Sequence, residues 1–374
     1  MDSDLVLVIV VVTALAFDFT NGFHDTANVV ATGISTRAIP PRTAVAGAAL
    51  LNFVGAFISL EVAATVAGGI VEADLITPTI VFAGLIGAIA WNLITWWYGL
   101  PSSSSHALIG GVVGAAFAAA GMEAVLAEGL VGKVFVPALI APVLAFLVAG
   151  IAILCAYRII ARLRPGSVNR GFRLGQIVSG SLLALSHGTN DAQKTMGIIT
   201  LALIAHGDIS ADDFHVPTWV VVSAATAIAL GTYVGGWRII RTLGTRIIKM
   251  DPAQGFAAQG AGATVILAAS HFGYPLSTTH TISGAVMGAG AAKRMSAVRW
   301  GVAGNIVMAW VLTIPAAGAI GGVVYGVTRV FGDGALGPVV VSVLVVGLLA
   351  AIFGRRLREV PPPPPIPVGS QSPP

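Results

Sequence analysis

The sequence predicts an all-α polytopic membrane protein of two inverted-topology repeats, each with a broken helix and a re-entrant helical hairpin, plus an extra C-terminal helix. Three observations carry that prediction. Of 374 residues, 56% are hydrophobic and 10% charged, whereas a soluble domain carries roughly 25% charged residues. The apolar residues fall in long runs separated by charged loops, and two polar motifs each occur twice in the same order. This composition excludes a soluble enzyme or a nucleic-acid binder. The 46 glycines and 7% aromatic content suit tightly packed helices better than a membrane barrel. A single cysteine, Cys155, excludes a disulfide framework.

A membrane span needs about 20 apolar residues. The runs that meet or approach this are Leu5–Thr36, Thr43–Ile70, Pro78–Tyr98, His106–Ala120, Phe135–Tyr157, Leu174–Ala205, Thr218–Ile240, Phe256–Phe272, His280–Ala292, Val302–Val327 and Gly337–Phe353. The first is preceded by Asp2 and Asp4 rather than by basic residues, so it reads as a retained span and not a cleaved signal. The chain divides into a first repeat (1–157), a basic cytoplasmic loop (158–173), a second repeat (174–327), an additional transmembrane helix (328–354) and a disordered Pro-rich tail (355–374).

Basic residues set the orientation. Placing the loops that hold Arg37, Arg158, Arg238, Lys293 and Arg355 in the cytoplasm puts 17 of the 20 basic residues inside. The N-terminus is then outside and the C-terminus cytoplasmic. Lys133 and Arg329 fall outside, and Lys194 alone lies within a membrane segment. Pro78–Tyr98 with His106–Ala120 must leave from and return to the outer face, and Phe256–Phe272 with His280–Ala292 to the inner face. Both pairs read as hairpins.

The internal repeat is the strongest signal. Asn21-Gly22-Phe23-His24-Asp25-Thr26-Ala27-Asn28 aligns with His187-Gly188-Thr189-Asn190-Asp191-Ala192-Gln193-Lys194, and Gly99-Leu100-Pro101-Ser102-Ser103-Ser104-Ser105-His106 with Gly273-Tyr274-Pro275-Leu276-Ser277-Thr278-Thr279-His280. Opposed repeats are an architecture of secondary transporters, with the site where the halves meet near mid-membrane.

Asp25 and Asp191 are repeat-related carboxylates inside apolar segments. Each costs about 2.5–3.5 kcal/mol at the bilayer centre and so should face the interior with a partner. With Asn21, His24, Asn28, Thr189, Asn190, Gln193 and Lys194 beside them, the clusters are expected to break their helices and line a cavity. Ser102–Ser105 and Ser277–Thr279 add hydroxyls at new helix starts, a cradle suited to a small oxyanion and also to helix capping. His106 and His280 fit packing or capping as well as proton transfer. Asp18 is a third intramembrane carboxylate, either a proton or cation site or a partner for Lys194.

On these motifs the sequence resembles the inorganic phosphate transporter (Pit) family along nearly the whole chain except the tail. Each repeat of that family carries Gly-x-Asn-Asp-x-x-Asn. The resemblance implies a symporter that takes up inorganic phosphate with a coupling cation, H+ or Na+, in the plasma membrane, without a bound cofactor. It implies that Asp25, Asn28 and Asp191 are coupling-ion or phosphate ligands and the tip hydroxyls phosphate donors; with the polar side chains of the second motif, the expected phosphate set is Ser103, Ser104, Ser105, Ser277, Thr278, Thr279, Thr189, Asn190 and Gln193. The intramembrane position of the other ionisable residues extends the expected coupling-ion or proton set to Asp25, Asn28, Asp191, Lys194, His24 and Asp18. Two departures matter: His24 stands where the pattern has Asn, and Lys194 where the second motif ends in Asn. A lysine ammonium there would neutralise Asp191 and displace one sodium, which points to proton coupling, with phosphate accepted as a metal–phosphate complex.

A sulfate permease of the same fold is the nearest alternative, separable because sulfate has no proton to donate to a carboxylate. A passive anion channel needs no opposed halves. An intramembrane hydrolase would need one nucleophile, not a duplicated Ser/Thr tip. The expected surroundings are the lipid bilayer, with the Gly284-x-x-x-Gly288 face open to close helix contacts such as those of a homodimer.

Overall fold

The computed structural model of the protein describes residues 2–162 and 164–359. The first repeat comprises α1 (Asp2–Ser35), α2 (Pro41–Gly55), α3 (Glu61–Gly68), α4 (Pro78–Tyr98), α5 (Ser104–Ala120), the single turn α6 (Ala127–Gly129) and α7 (Val136–Ile160). The second follows the same order as α8 (Pro165–His206), α9 (Thr218–Val234), α10 (Trp237–Arg241), α11 (Pro252–His271), α12 (Thr278–Lys293) and α13 (Trp300–Arg329), with α14 (Leu336–Glu359) added. Among the described residues, five helical stretches are long and apolar enough to cross a membrane: α1, α4, α5 with its extension to Ala124, Ala127–Ile160, and α13. The bent pair α9 and Trp237–Arg246 makes a sixth.

The hairpins form where the motifs place them. Thr77 caps α4 and Pro78 opens it, while Gly99 ends it in the left-handed region at φ 65°. Asp251 and Gln254 form a reciprocal capping box on α11, which turns at Gly273, φ 70°. Ser103 and Ser277 then cap the returning helices by accepting from the His106 and His280 amides, at 3.1 and 3.2 Å.

The helix breaks are not where the sequence suggests. α1 and α8 run unbroken through the Asp25 and Asp191 motifs. The interruptions lie in the following segments, between α2 and α3 and between α9 and α10, the latter bent by 59°. Within the motif helices Thr26 and Thr189 donate back to the carbonyls of Gly22 (2.6 Å) and Leu185 (2.8 Å), so these buried hydroxyls are satisfied without a break in the helix. Gly22 and Gly188 permit close helix approach instead of kinking the chain. A Cβ at Gly22 would lie 2.3 Å from the Ile228 carbonyl oxygen in α9, and one at Gly188 2.2 Å from that of Asn52 in α2. Each motif helix therefore packs on the broken helix of the other repeat.

Further differences concern boundaries. Thr43–Ile70 is two helices rather than one span, and most of the basic segment 158–173 is helical, because Pro165 starts α8 there. α14 reaches Glu359, while the proline run of the expected tail lies outside the described residues. The Gly284/Gly288 stripe packs inside the chain: Cβ atoms there would lie 2.3 and 2.0 Å from the Pro142 and Phe146 carbonyls of α7. It is not a free face for a second copy.

α1 and α8 run antiparallel. Thr36 donates to Gln176 at one end (2.8 Å), and His206 lies 3.4 Å from Asp4 at the other. The apolar core falls into two clusters, and the helices cross them in opposite order. α1 enters one through Val10 and Phe17 and the other through Val29 and Val30; α8 enters the second through Leu183 and the first through Met196 and Ile199. The polar motifs lie between the clusters.

Candidate functional site

α1 and α8 present their motifs to the two hairpin tips, and every side chain of the resulting site is buried. Lys194 uses all three ammonium protons, an ammonium having three donors and no acceptor. It donates to Asp191 Oδ1 at 2.5 Å, Ser105 Oγ at 2.5 Å and the Leu276 carbonyl at 2.7 Å. The equivalent residue, Asn28, donates through Nδ2 to Thr279 Oγ1 at 2.9 Å and Thr278 Oγ1 at 3.2 Å. Each motif helix thus grips the hairpin tip of the other repeat by the last residue of its motif.

The carboxylates meet the same hydroxyls. Asp25 accepts from Ser104 at 3.3 Å and Thr279 at 3.4 Å, and touches His24 Nδ1 at 2.7 Å. Thr278 Oγ1 lies 3.3 Å from Asp191 Oδ2 and 3.5 Å from Asp25 Oδ2, so one hydroxyl stands between the two acids. His24 is anchored through Nε2 to Thr95 at 3.2 Å. The N-termini of α5 and α12, which begin at Ser104 and Thr278, point their first amides at this place, and such ends favour anions.

Of the expected phosphate ligands, Ser104, Ser105, Thr278 and Thr279 are at the site. Ser103 and Ser277 sit at the same tips, where their oxygens cap α5 and α12. Thr189 donates to the Gly55 carbonyl (2.9 Å) and stitches α8 to α2. Asn190 donates to Ser270 (2.8 Å) and the Tyr274 carbonyl (3.1 Å). Gln193 accepts from the Val62 amide (2.9 Å) at the start of α3 while donating to the Thr189 carbonyl. All three are structural in this arrangement. Among the expected coupling residues, Asp25, Asn28, Asp191, Lys194 and His24 converge, and Asp18 lies apart from the hydroxyl tips.

His187 was missed as a site residue. Its Nε2 lies 3.1 Å from Asp191 Oδ2, off the line of a hydrogen bond, and Asp25, His187 and Asp191 each bring a ligand atom within 4.8 Å of the others. The signal was present: His187 precedes Asp191 by four residues, one helical turn on the same face. Behind the tips, the His106 and His280 rings meet edge to face at 4.7 Å, and His280 stacks on Trp310 at 4.0 Å.

A helical membrane protein with two repeated units and a buried polar site between them is a transporter in class. This chain belongs to the phosphate transporter family, whose model matches residues 21–167 and 163–321, dividing where the repeats divide. It is 52% identical over 95% of its length to a Mycobacterium bovis protein, covering 85% of that protein, and 49% identical over 87% of its length to one from Rhizobium meliloti, covering 98%; each is described as a "Probable low-affinity inorganic phosphate transporter". A solved structure, "The sodium-dependent phosphate transporter", superposes with TM-score 0.78 at 25% identity, over 87% of this chain and 99% of that one.

Proposed function

We propose that this chain imports inorganic phosphate across the plasma membrane by proton symport, with its two halves mounted in opposite senses and alternating access about the site they share. Family membership and the names of its relatives support phosphate as cargo and a transporter rather than an enzyme. The antiparallel course of α1 and α8 supports inversion, and the distribution of basic residues supports an outer N-terminus and a cytoplasmic C-terminus.

The observation that carries the reading is the meeting of two acids, one ammonium and four tip hydroxyls at two helix N-termini. Phosphate oxygens accept from Ser104, Ser105, Thr278 and Thr279 and from the helix-start amides. The P–OH of a protonated phosphate donates to Asp25 or Asp191, an interaction closed to sulfate. Lys194 stands at the motif position where Asn28 stands in the first repeat, already bonded to Asp191, so one coupling cation is replaced by a tethered one. That substitution favours the proton for the remaining coupling step. A metal–phosphate complex is an accepted form of the cargo, because a divalent ion lowers the charge that must enter a buried site.

The test is labelled phosphate uptake into proteoliposomes under imposed gradients. Accumulation driven by a pH gradient without sodium, competed by phosphate analogues and not by sulfate, and raised by Mg2+, is the expected result. Uptake that requires a sodium gradient and ignores pH contradicts proton coupling. Sodium is the second reading, favoured by the description of the superposed structure as sodium-dependent.

A further inference from the structure

The site leaves one intramembrane acid unused. Asp18 is fully buried on α1, two helical turns before Asp25, and neither of its carboxylate oxygens has a hydrogen-bond partner. Asn21, one turn on, and Thr195 of α8 are the polar side chains that reach toward it. Asn21 Oδ1 and Thr195 Oγ1 are themselves buried and unpartnered. The Thr195 hydroxyl carries its own proton, whereas Asn21 Oδ1 is an acceptor that a proton on Asp18 would satisfy.

The other two acids are matched: Asp191 has Lys194, and Asp25 has His24 and the hydroxyls of both tips. The charged groups nearest Asp18 are Asp191 and Lys194, both on α8. The helices α4 and α9 bring no Asp, Glu, Lys, Arg or His. An ionised carboxylate without a matched cation is costly at this depth, whereas a protonated one donates to Asn21 Oδ1 and satisfies an orphaned acceptor.

We infer that Asp18, with Asn21 as its acceptor, is the seat of the transported proton, a site separate from the phosphate cradle. The inference rests on the proton-symport reading above. The proton binds one carboxylate oxygen, crosses with phosphate as the halves exchange, and leaves to water on the other face. Lys194 links the two sites, because it is bonded to Asp191 and lies within electrostatic reach of Asp18. Release of phosphate beside it alters the field in which the Asp18 carboxyl holds its proton.

The experiment uses the full-length protein in proteoliposomes with a lumenal pH indicator and labelled phosphate. Asp18→Asn is expected to lower pH-driven accumulation by roughly tenfold or more and to abolish the phosphate-dependent proton signal, while exchange of lumenal for external phosphate remains detectable. Accumulation and proton entry at the wild-type level in Asp18→Asn would overturn the inference. Should that variant neither accumulate nor exchange, Asp18→Glu decides: the inference expects uptake with a displaced pH profile, and an unaltered profile contradicts it. A wild-type protein that needs only sodium refutes proton symport itself, which separates failure of that reading from failure of the Asp18 assignment.

Discussion

Lys194 Nζ and Asp191 Oδ1 lie 2.5 Å apart in a fully buried pair, and the same ammonium reaches across to Ser105 of the opposite hairpin. The pair joins α8 of the second repeat to the tip of the first. Its counterpart, Asn28 with Thr279, joins α1 to the tip of the second. The contact that closes the site is therefore also the contact that holds the halves in register.

Removing one member of such a pair leaves the other charged and unmatched. Lys194→Ala is expected to destabilise the detergent-solubilised protein by about 3–5 kcal/mol. The double variant Lys194→Ala/Asp191→Asn should recover part of that loss, as seen by thermal unfolding. A loss in the double variant equal to the sum of the Lys194→Ala and Asp191→Asn losses would show that the pair is not coupled.

Caps and ligands should separate among the tip hydroxyls. Ser103→Ala removes the α5 cap and is expected to cost about 1 kcal/mol of stability, with KM for phosphate little changed. Thr278→Ala removes the hydroxyl standing between the two acids and is expected to lower kcat/KM by roughly a hundredfold, of the order of the loss of one well-placed donor. Uptake kinetics and unfolding curves on both variants check the division, and a KM effect confined to Ser103→Ala would reverse it.

Gly288 packs so closely on α7 that a side chain there must meet the Phe146 carbonyl. Gly288→Leu is expected to reduce the yield of folded protein and to leave any self-association of the remainder unaltered, measured by size exclusion with light scattering. A folded variant with a changed oligomeric state would place the stripe at an interface between copies.

Much of this was readable from residue types alone. Gly-Pro-Ser/Thr punctuation marks both hairpins, and the paired motifs mark the four elements of the site. Two things were not readable. The polar motifs suggest helix breaks, yet polar side chains can be satisfied inside an unbroken helix, as Thr26 and Thr189 are by carbonyls of their own helix. The actual breaks lie beyond Gly55 and at Gly235–Gly236. Likewise Thr189, Asn190 and Gln193 have the chemistry of phosphate ligands, but α2, α3 and α11 take them for packing. Only tertiary placement tells the two uses of a polar side chain apart. His187 shows the converse: it carries no role in the motif reading, and α8 brings it against Asp191.

The most direct measurement is pH-driven uptake of labelled phosphate by Asp191→Asn in proteoliposomes, with insertion and folding verified in the same vesicles. Loss of uptake from a correctly inserted protein is the predicted outcome. Transport at the wild-type rate would mean that phosphate crosses somewhere other than between these two acids.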